Sequence, residues 1–547
     1  MSYRVASLVV GVLALAGAAR GADDFAAQVD LSPLRTLVIQ HQQTLKTLDS
    51  FARQTLTSIT GRATIDGRDP VFSMLDIAYR PAKYVDRPLI RIRNLPLRRR
   101  IAELARDDAQ QRQRIMKEGT ISLGFYTGSK VAAALEQLQS QDARLSPAIE
   151  EASGAAETME MLGDPTRFEL ALIPPGGSAD QSWKTPRAVL GNSPKWAKYI
   201  EDQGDRPHPP LPGYEGKAEL LTGMIDAYIE LGKAWAAENA GQVNRQAKLL
   251  GELAAEVNPG AYPALGKRSA EVWYNRLEKF TVPGFMFYFV AFASFLLSAG
   301  AGMRRLRRAG IGFMALALLV HTAGIGIRWW LAPPGRIPIM NQFESVMAAA
   351  WFGAVIGVIL EVFRPKGVYG AAASFVGWVS LVALWATPIL TGVQIGADIG
   401  QVGGILLSFW LYIHVNLTIA SYALIGMSFL LGVWWLVQHS RGGDEGFMGT
   451  LDACNVVVLQ LAFWLLGAGI ITGAVWADSS WGRPWGWDPK ETFALVTWIV
   501  YLLVVHIRLV AARKAFWTAA LSSVAFFVML FNWIGVNFFM VGLHSYA

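Results

Sequence analysis

The sequence predicts an all-α protein: a polytopic membrane bundle of about eight transmembrane helices that carries a mostly helical, extracytoplasmic N-terminal domain. Three observations predict it. The chain has 547 residues, 53% apolar and 17% charged, but the charge is uneven. Residues 23–280 are charge-rich, whereas 281–547 hold long apolar runs, and about 18 apolar residues suffice to cross a bilayer as a helix. These runs lie near 282–300, 309–328, 344–363, 369–391, 414–437, 455–476, 493–511 and 517–541. Lys and Arg gather in alternate connections: Arg304, Arg305, Arg307 and Arg308 in the first, Arg364 and Lys366 in the third, Arg513 and Lys514 in the seventh, with Arg508 just before it. The positive-inside bias assigns those connections to the cytoplasm. The fifth, 438–451, is the weak case, because Asp444 and Glu445 outweigh Arg441. With an outside N-terminal domain and an even number of spans, the C-terminus is outside too, with the loops near 329–343, 392–413 and 477–492.

The division that follows is a signal peptide or anchor over 1–21, an extracytoplasmic domain over 22–280 and a membrane domain over 281–547. Arg4, the apolar run Ala6 to Ala19 and the small residues up to Gly21 have the order of a secretory signal. The second segment shows helical periodicity over Leu34–Ile59, 98–117, 127–140 and 218–256, with proline-rich connections at Pro174-Pro175 and Pro207–Pro212. Arg91, Arg93, Arg98, Arg99 and Arg100 read as a solvated face or, more sharply, as a docking surface for lipid or an acidic partner. His41 and His208 have no ligand-spaced neighbour and read as surface residues; His439 reads as a solvated loop residue.

The formal charge of +7 does not indicate nucleic acid, because much of the excess sits in short loops beside apolar runs. One cysteine, Cys454, excludes an intramolecular disulfide and dithiol redox chemistry. It reads as a buried apolar residue at a helix end. There is no Cys-x-x-Cys-His, so the chain does not attach haem to itself.

The most informative segment is Trp481-Gly-Arg483-Pro-Trp485-Gly-Trp487-Asp488-Pro-Lys490-Glu491-Thr492. One reading is an interfacial aromatic belt. Belt tryptophans do not need glycine and proline between them, however. Glycines let a backbone approach a flat ligand, and indoles give a broad apolar platform with N–H donors at its edge. That surface suits haem, with Arg483 and Lys490 placed to pair with propionates and Asp488 and Glu491 to cap the next helix. Five of the seven histidines fall in the membrane half, and four of them, all but His439, stand at informative places. His414 and His544 flank the tryptophan loop at the predicted outer level, where two imidazoles can ligate iron from opposite faces. Interfacial hydrogen bonding is the alternative for each. His321 and His506 lie within spans, where an ionisable group marks function or helix–helix hydrogen bonding. Their depths differ: roughly 10 Å and 20 Å from the outer helix ends at about 1.5 Å per residue.

Trp481 to Thr492 with Trp498 resembles the tryptophan-rich WWD signature of the cytochrome c assembly family, in its system II (CcsA/ResC-type) branch. The resemblance covers roughly 282–547 and includes Gly335-Arg336-Ile-Pro338 with Asn341, Glu344 and Ser345, the His414 helix and the terminal Gly542-Leu-His544-Ser-Tyr-Ala547. Phe493 departs from it by replacing a tryptophan with another ring. The resemblance implies a haem b-binding protein in which Trp481, Trp485, Trp487, Asp488, Arg483 and Lys490 form the platform. It makes His414 and His544 the external iron ligands and His321 and His506 an intramembrane transit pair. It implies cytochrome c-type biogenesis in a bacterial inner membrane: haem reaches the periplasmic side and joins an apocytochrome c Cys-x-x-Cys-His segment through thioether bonds. That is holocytochrome c synthase (haem lyase) chemistry, with a CcsB/ResB-type membrane partner. Thr36–His41, Asp49–Arg53, Thr60–Arg62 and Asp69-Pro70 are similar to the outer extension of long family members, which implies a docking role for 23–280. Haem delivery without synthase activity and a bis-histidine redox subunit remain as alternatives. The second predicts histidines paired on the same two helices, whereas these four lie on four helices.

Overall fold

The computed structural model describes residues 24–105, 108–142, 144–165, 167–191, 214, 216–333, 336, 339–390, 399–400, 408–536, 540 and 542. The signal-like segment, His208 and His544 lie outside them. The chain divides into two compact units, Met1–Val272 and Trp273–Ala547.

The first unit is mostly helical, with two small antiparallel ladders. β1 (Val38–His41) pairs with β2 (Thr44–Thr47), Val38 opposite Thr47, and β3 (Ile90–Arg91) pairs with β4 (Thr120–Ile121). The helix expected over Leu34–Ile59 is therefore a hairpin followed by α1 (Leu48–Thr60). The β-branched Val38 and Ile39 favour extended backbone, and Gln42 and Gln43 turn the chain at positive φ. The later helices of ten residues or more are α2 (Pro70–Tyr79), α3 (Leu95–Leu104), α4 (Ala109–Glu118), α5 (Ser129–Gln141), α6 (Ser146–Gly163), α7 (Ala218–Ala236), α8 (Ala240–Val257) and α9 (Leu265–Arg276). Thus 98–117 and 218–256 each divide into two helices; α8 starts at the cap Asn239, whose side chain accepts from Gln242 N–H.

A buried carboxylate organises the core of this unit. Asp76 on α2 accepts from Arg80 Nε at 2.6 Å, Tyr84 hydroxyl at 2.6 Å and Trp235 Nε1 at 3.0 Å. His41 is half-buried rather than a plain surface residue: its ring lies 5.0 Å from that of Phe51, and burial lowers its pKa. Of the basic cluster only Arg99 and Arg100 are exposed. Arg93 pairs with Glu151 at 2.8 Å, and Arg98 donates to the Ile92 carbonyl.

Among the described residues, the second unit contains eight helices long and apolar enough to cross a membrane. They are α10 (Thr281–Ala301), α11 (Arg304–Leu331), α12 (Gln342–Phe363), α13 (Val368–Leu390), α14 (Phe409–Ser440), α15 (Glu445–Trp481), α16 (Pro489–Val510) and α17 (Lys514–Leu530). This is the polytopic helical membrane protein expected. α10 packs on α11 and α13, α12 on α13 and α14, α14 on α15 and α17, and α16 on α17 and α15. α15 runs for 37 residues, well beyond the apolar run, because Asp444 caps it through Phe447 N–H and its polar first turns extend the helix. At about 1.5 Å per residue it outreaches a 30 Å hydrocarbon core. Cys454 is buried in its interior, the tenth residue of the helix rather than at its end. Polar contacts join the helices within the bundle. Ser428 donates to Asn455 at 2.6 Å, and Arg508 holds Asp452 through both oxygens at 2.6 and 2.9 Å.

Glu271 ties α9 to the first hairpin, accepting from Thr47 N–H at 2.9 Å, Thr47 hydroxyl at 2.8 Å and the Ser50 hydroxyl. Burial raises its pKa above the ordinary carboxylate value of 4.5. A raised folded-state pKa gives stability that is complete below the unfolded value and is lost as pH rises through the folded one. Glu271→Gln keeps an acceptor and cannot ionise. Its melting temperature relative to the native chain is expected to climb between pH 4 and pH 8 by a few degrees, read by thermal unfolding; a flat difference contradicts the burial account.

Candidate functional site

His414 stands five residues into α14, facing a strip of α15 that has no side chains. Gly469 and Gly473 are one turn apart on that strip. His414 Nδ1 lies 2.7 Å from the Gly469 carbonyl oxygen. A carbonyl only accepts, so Nδ1 carries the proton and the lone pair of the neutral ring is on Nε2. The approach depends on glycine: a Cβ on Gly473 would come 2.6 Å from Nδ1, and one on Gly469 2.6 Å from Thr418 Oγ1.

Beside this imidazole is a cavity of about 130 Å³, lined among others by Tyr422, Trp476, Trp485, Lys490, Glu491 and Asn532. Its lid is the tryptophan loop. Gly482, at φ +69°, ends α15, and Trp487 sits at φ +58° with its ring 70% exposed. The indoles meet edge to face: Trp476 and Trp481 at 4.8 Å, Trp485 and Trp487 at 5.9 Å. Two carboxylates shape the loop backbone. Asp488 caps α16 by accepting from Lys490 N–H at 3.1 Å, and Glu491 reaches back to Gly486 N–H at 2.8 Å and Asp488 N–H at 3.2 Å. This is the reciprocal cap expected from the sequence.

Lys490 donates from Nζ to the Trp533 carbonyl at 2.9 Å. That carbonyl belongs to a π-helical turn, Phe531–Gly535, which follows α17 and shifts the backbone pairing there. The same turn places Asn532, whose Nδ2 donates to the Tyr422 hydroxyl at 2.8 Å. Asn532 Oδ1 is buried with no hydrogen-bond partner among the described residues. Arg483 is exposed and packs over Gly486. Gly542 lies against Asp488, with Pro489 Cδ 3.0 Å from where its Cβ would be.

The structure thus brings His414, Trp485 and Lys490 to one cavity, with Trp481, Trp487, Asp488 and Arg483 in the adjoining loop. It does not bring His321 and His506 together. His321 on α11 is 1% exposed; its Nδ1 lies 3.2 Å from Tyr288 hydroxyl, and its Nε2 has no hydrogen bond of ordinary geometry among the described residues. His506 is exposed on α16, with Nδ1 2.8 Å from the Leu502 carbonyl. α11 packs on α10, α12 and α13, whereas α16 packs on α15 and α17. The expected pair is two separate sites because the helices have different neighbours. His439, expected in a loop, ends α14 and stacks on Trp435 at 4.9 Å.

Sequence reasoning missed Trp476, Tyr422, Asn532 and the two glycines. The spacing Gly469-x-x-x-Gly473 was the available signal, since small residues four apart let helices approach closely. The π-helical turn had no comparable signal.

The model of the family described as "Cytochrome C assembly protein" matches residues 339–544. The chain is 32% identical over 307 residues to Protein NrfI of Wolinella succinogenes, covering 52% of this chain and 32% of that protein. It is 32% identical over 264 residues to Cytochrome c biogenesis protein CcsA of Synechococcus sp. (strain CC9902), covering 43% of this chain and 85% of the relative. CcsA of Chlamydomonas reinhardtii is 32% identical over 247 residues, covering 44% and 67%. The chain thus spans about a third of NrfI and most of the cyanobacterial relative.

Gly473→Val is expected to push the imidazole off Gly469 while costing about 1–3 kcal/mol of stability, as overpacking does. Nitrogen NMR of histidine-labelled protein checks it: the native His414 shows a protonated Nδ1, and the variant loses that signature. An unchanged His414 signal would contradict the geometry.

Proposed function

The chain belongs to the cytochrome c assembly protein family, a premise from which we propose that its membrane unit holds haem b against the tryptophan loop and presents it for covalent attachment to an apocytochrome c. The observation that carries this reading is the Nδ1–H bond of His414 to Gly469, which leaves the lone pair on Nε2, the nitrogen that would meet an iron. Such a second partner fixes ring orientation and raises ligand basicity. The residues present fit a haem cargo: an oriented imidazole, a side-chain-free strip of α15 and indoles at the cavity mouth.

A cavity of about 130 Å³ is smaller than the roughly 300 Å³ that encloses a small ligand. Trp485 and the exposed Trp487 would therefore hold haem at the mouth, with Trp481 bracing the loop from Trp476. Arg483 is placed to pair with a propionate, and Lys490 stands at the inner edge. Asp488 acts through the backbone, keeping the loop closed. His544, two residues beyond Gly542 in the sequence, is the candidate for the second axial imidazole.

Haem supplies an iron that takes nitrogen ligands and two vinyl groups that take thiols. In each attachment a cysteine sulfur bonds one vinyl carbon and a proton goes to the other, so atoms balance without an external oxidant. His414 and His544 would hold the iron until the apocytochrome's own histidine takes the place of one of them. His321 and His506 serve passage of haem through the bilayer as separate stations. The bis-histidine redox reading gains nothing from the structure, because these two imidazoles sit in different surroundings.

For location we propose a bacterial inner membrane, with the tryptophan loop, N-terminal domain and C-terminus on the periplasmic side. The first and third basic connections meet at one end of the bundle, where Arg307 donates to the Pro365 carbonyl at 2.5 Å, as cytoplasmic loops require. Residues 22–280 then form a periplasmic domain that docks the apocytochrome or a CcsB/ResB-type membrane partner, with Arg99 and Arg100 as exposed contacts.

Co-expression with a Cys-x-x-Cys-His cytochrome in a host lacking its own assembly system tests the proposal, with and without the partner. Haem that stays on the cytochrome after denaturation supports synthase activity; haem retained only by this chain supports delivery alone. His414→Ala is expected to cut holocytochrome at least about tenfold, the worth of a lost metal-ligand contact, and to lose bound haem that added imidazole restores. Unchanged haem spectra in His414→Ala would remove the assignment.

A further inference from the structure

A larger cavity of the membrane unit, about 350 Å³, lies among α11, α12 and the first turns of α14, where Tyr412 and Asn416 line it but His414 between them does not. Its walls are apolar and aromatic, with Trp329, Met347, Trp351, Phe352 and Tyr412 prominent. Its charged lining is Arg328, Arg336 and Glu344. Glu344 Oε1 takes Arg328 Nε at 2.6 Å and Arg336 at 2.8 Å, while Oε2 also accepts Met340 N–H at 2.8 Å. All three side chains are at most 5% exposed.

Two guanidinium ions share one carboxylate, so the wall carries one surplus positive charge. Arg336 Nε has no hydrogen-bond partner among the described residues. The other polar ring nearby, Tyr274, interacts with Arg328 and brings no negative charge while protonated. Buried charge of one sign is normally balanced by a counter-ion. Glu344 is the only carboxylate among the described lining residues.

Arg328 lies three residues from the end of α11, about 5 Å at 1.5 Å per residue, the depth at which a bilayer's headgroups begin. Trp329 at the rim is 56% exposed on a membrane-spanning helix, so the cavity borders the bilayer-facing surface. We propose that this cavity binds an anionic amphiphile, a carboxylate or phosphate head carried on an apolar body, with the head completing the charge balance at Arg336 and the body lying along Trp329 and Trp351. A membrane phospholipid and a porphyrin dicarboxylate share that chemistry. The inference does not rest on the His414 reading and stands or falls separately from it.

The test is native mass spectrometry of the full chain released from neutral detergent after incubation with phosphatidylglycerol, phosphatidylcholine or metal-free protoporphyrin IX. The native chain is expected to retain one phosphatidylglycerol, or one protoporphyrin that excludes it, in preference to phosphatidylcholine. Arg336→Gln leaves the Arg328–Glu344 pair neutral and is expected to lower retention by about tenfold, as for one charge-assisted hydrogen bond. Arg336→Lys restores charge and should recover part of it. Ala348→Phe fills the cavity without touching charge and should also abolish retention, with elution and thermal unfolding reporting that each variant is folded. Retention of phosphatidylglycerol identifies the lipid source, and displacement by protoporphyrin the porphyrin source. Equal retention of phosphatidylcholine, no retention of any probe, or retention untouched by folded Arg336→Gln and Ala348→Phe overturns the proposal.

Discussion

The hydrogen bond from His414 to the Gly469 carbonyl is the interaction on which the site depends. It fixes the tautomer of an imidazole inside a helical bundle, and with it the nitrogen that meets a ligand. The bond exists because α15 offers backbone rather than side chain along one face. Gly469 and Gly473 let α14 come close enough for an imidazole to reach a helix carbonyl. In an apolar surrounding such a bond is strong and its loss costly, since no water replaces it.

The acidic groups near the tryptophan loop are committed to shaping backbone. Asp488 and Glu491 satisfy N–H groups at the start of α16 and fold the loop over the cavity. Glu344 performs a related task elsewhere, holding two arginines together at the junction of α11 and α12. In the proposed function, ligand chemistry is thereby left to imidazole, indole and guanidinium. That division matches a neutral metal-binding ring, a flat apolar body and anionic edges. The π-helical turn adds a further device, since it frees the Trp533 carbonyl to receive the Lys490 ammonium.

Much of this was legible in the sequence, and the reason differs by element. Eight spans were readable because lipid demands long apolar runs, and the caps Asp488 and Glu491 because their spacing is set by helix geometry. His414 and Trp485 line one cavity; the order of the spans had put them at one level of the membrane. Span ends were not readable: α15 continues to Trp481 and begins at Glu445, since polar residues in a capped helix carry no apolar signal. The hairpin Val38–Thr47 was hidden by residues that also fit a helical stripe. His321 and His506 were partners only in what the family resemblance implies; both are ionisable and intramembrane, but their depths already differed. Partnership depends on which helices pack, and a single sequence does not carry that. Arg328, Arg336 and Glu344 come together because a chain reversal brings α11 and α12 side by side, which spacing alone does not reveal.

The most direct test of the central claim is pulsed electron paramagnetic resonance of the ferric haem-loaded chain, with histidine labelled in turn at Nε2 and at Nδ1 with nitrogen-15. The geometry predicts strong hyperfine coupling to Nε2 and only weak coupling to Nδ1, which is engaged with the Gly469 carbonyl. Strong coupling to Nδ1, or none to any histidine nitrogen, would contradict it.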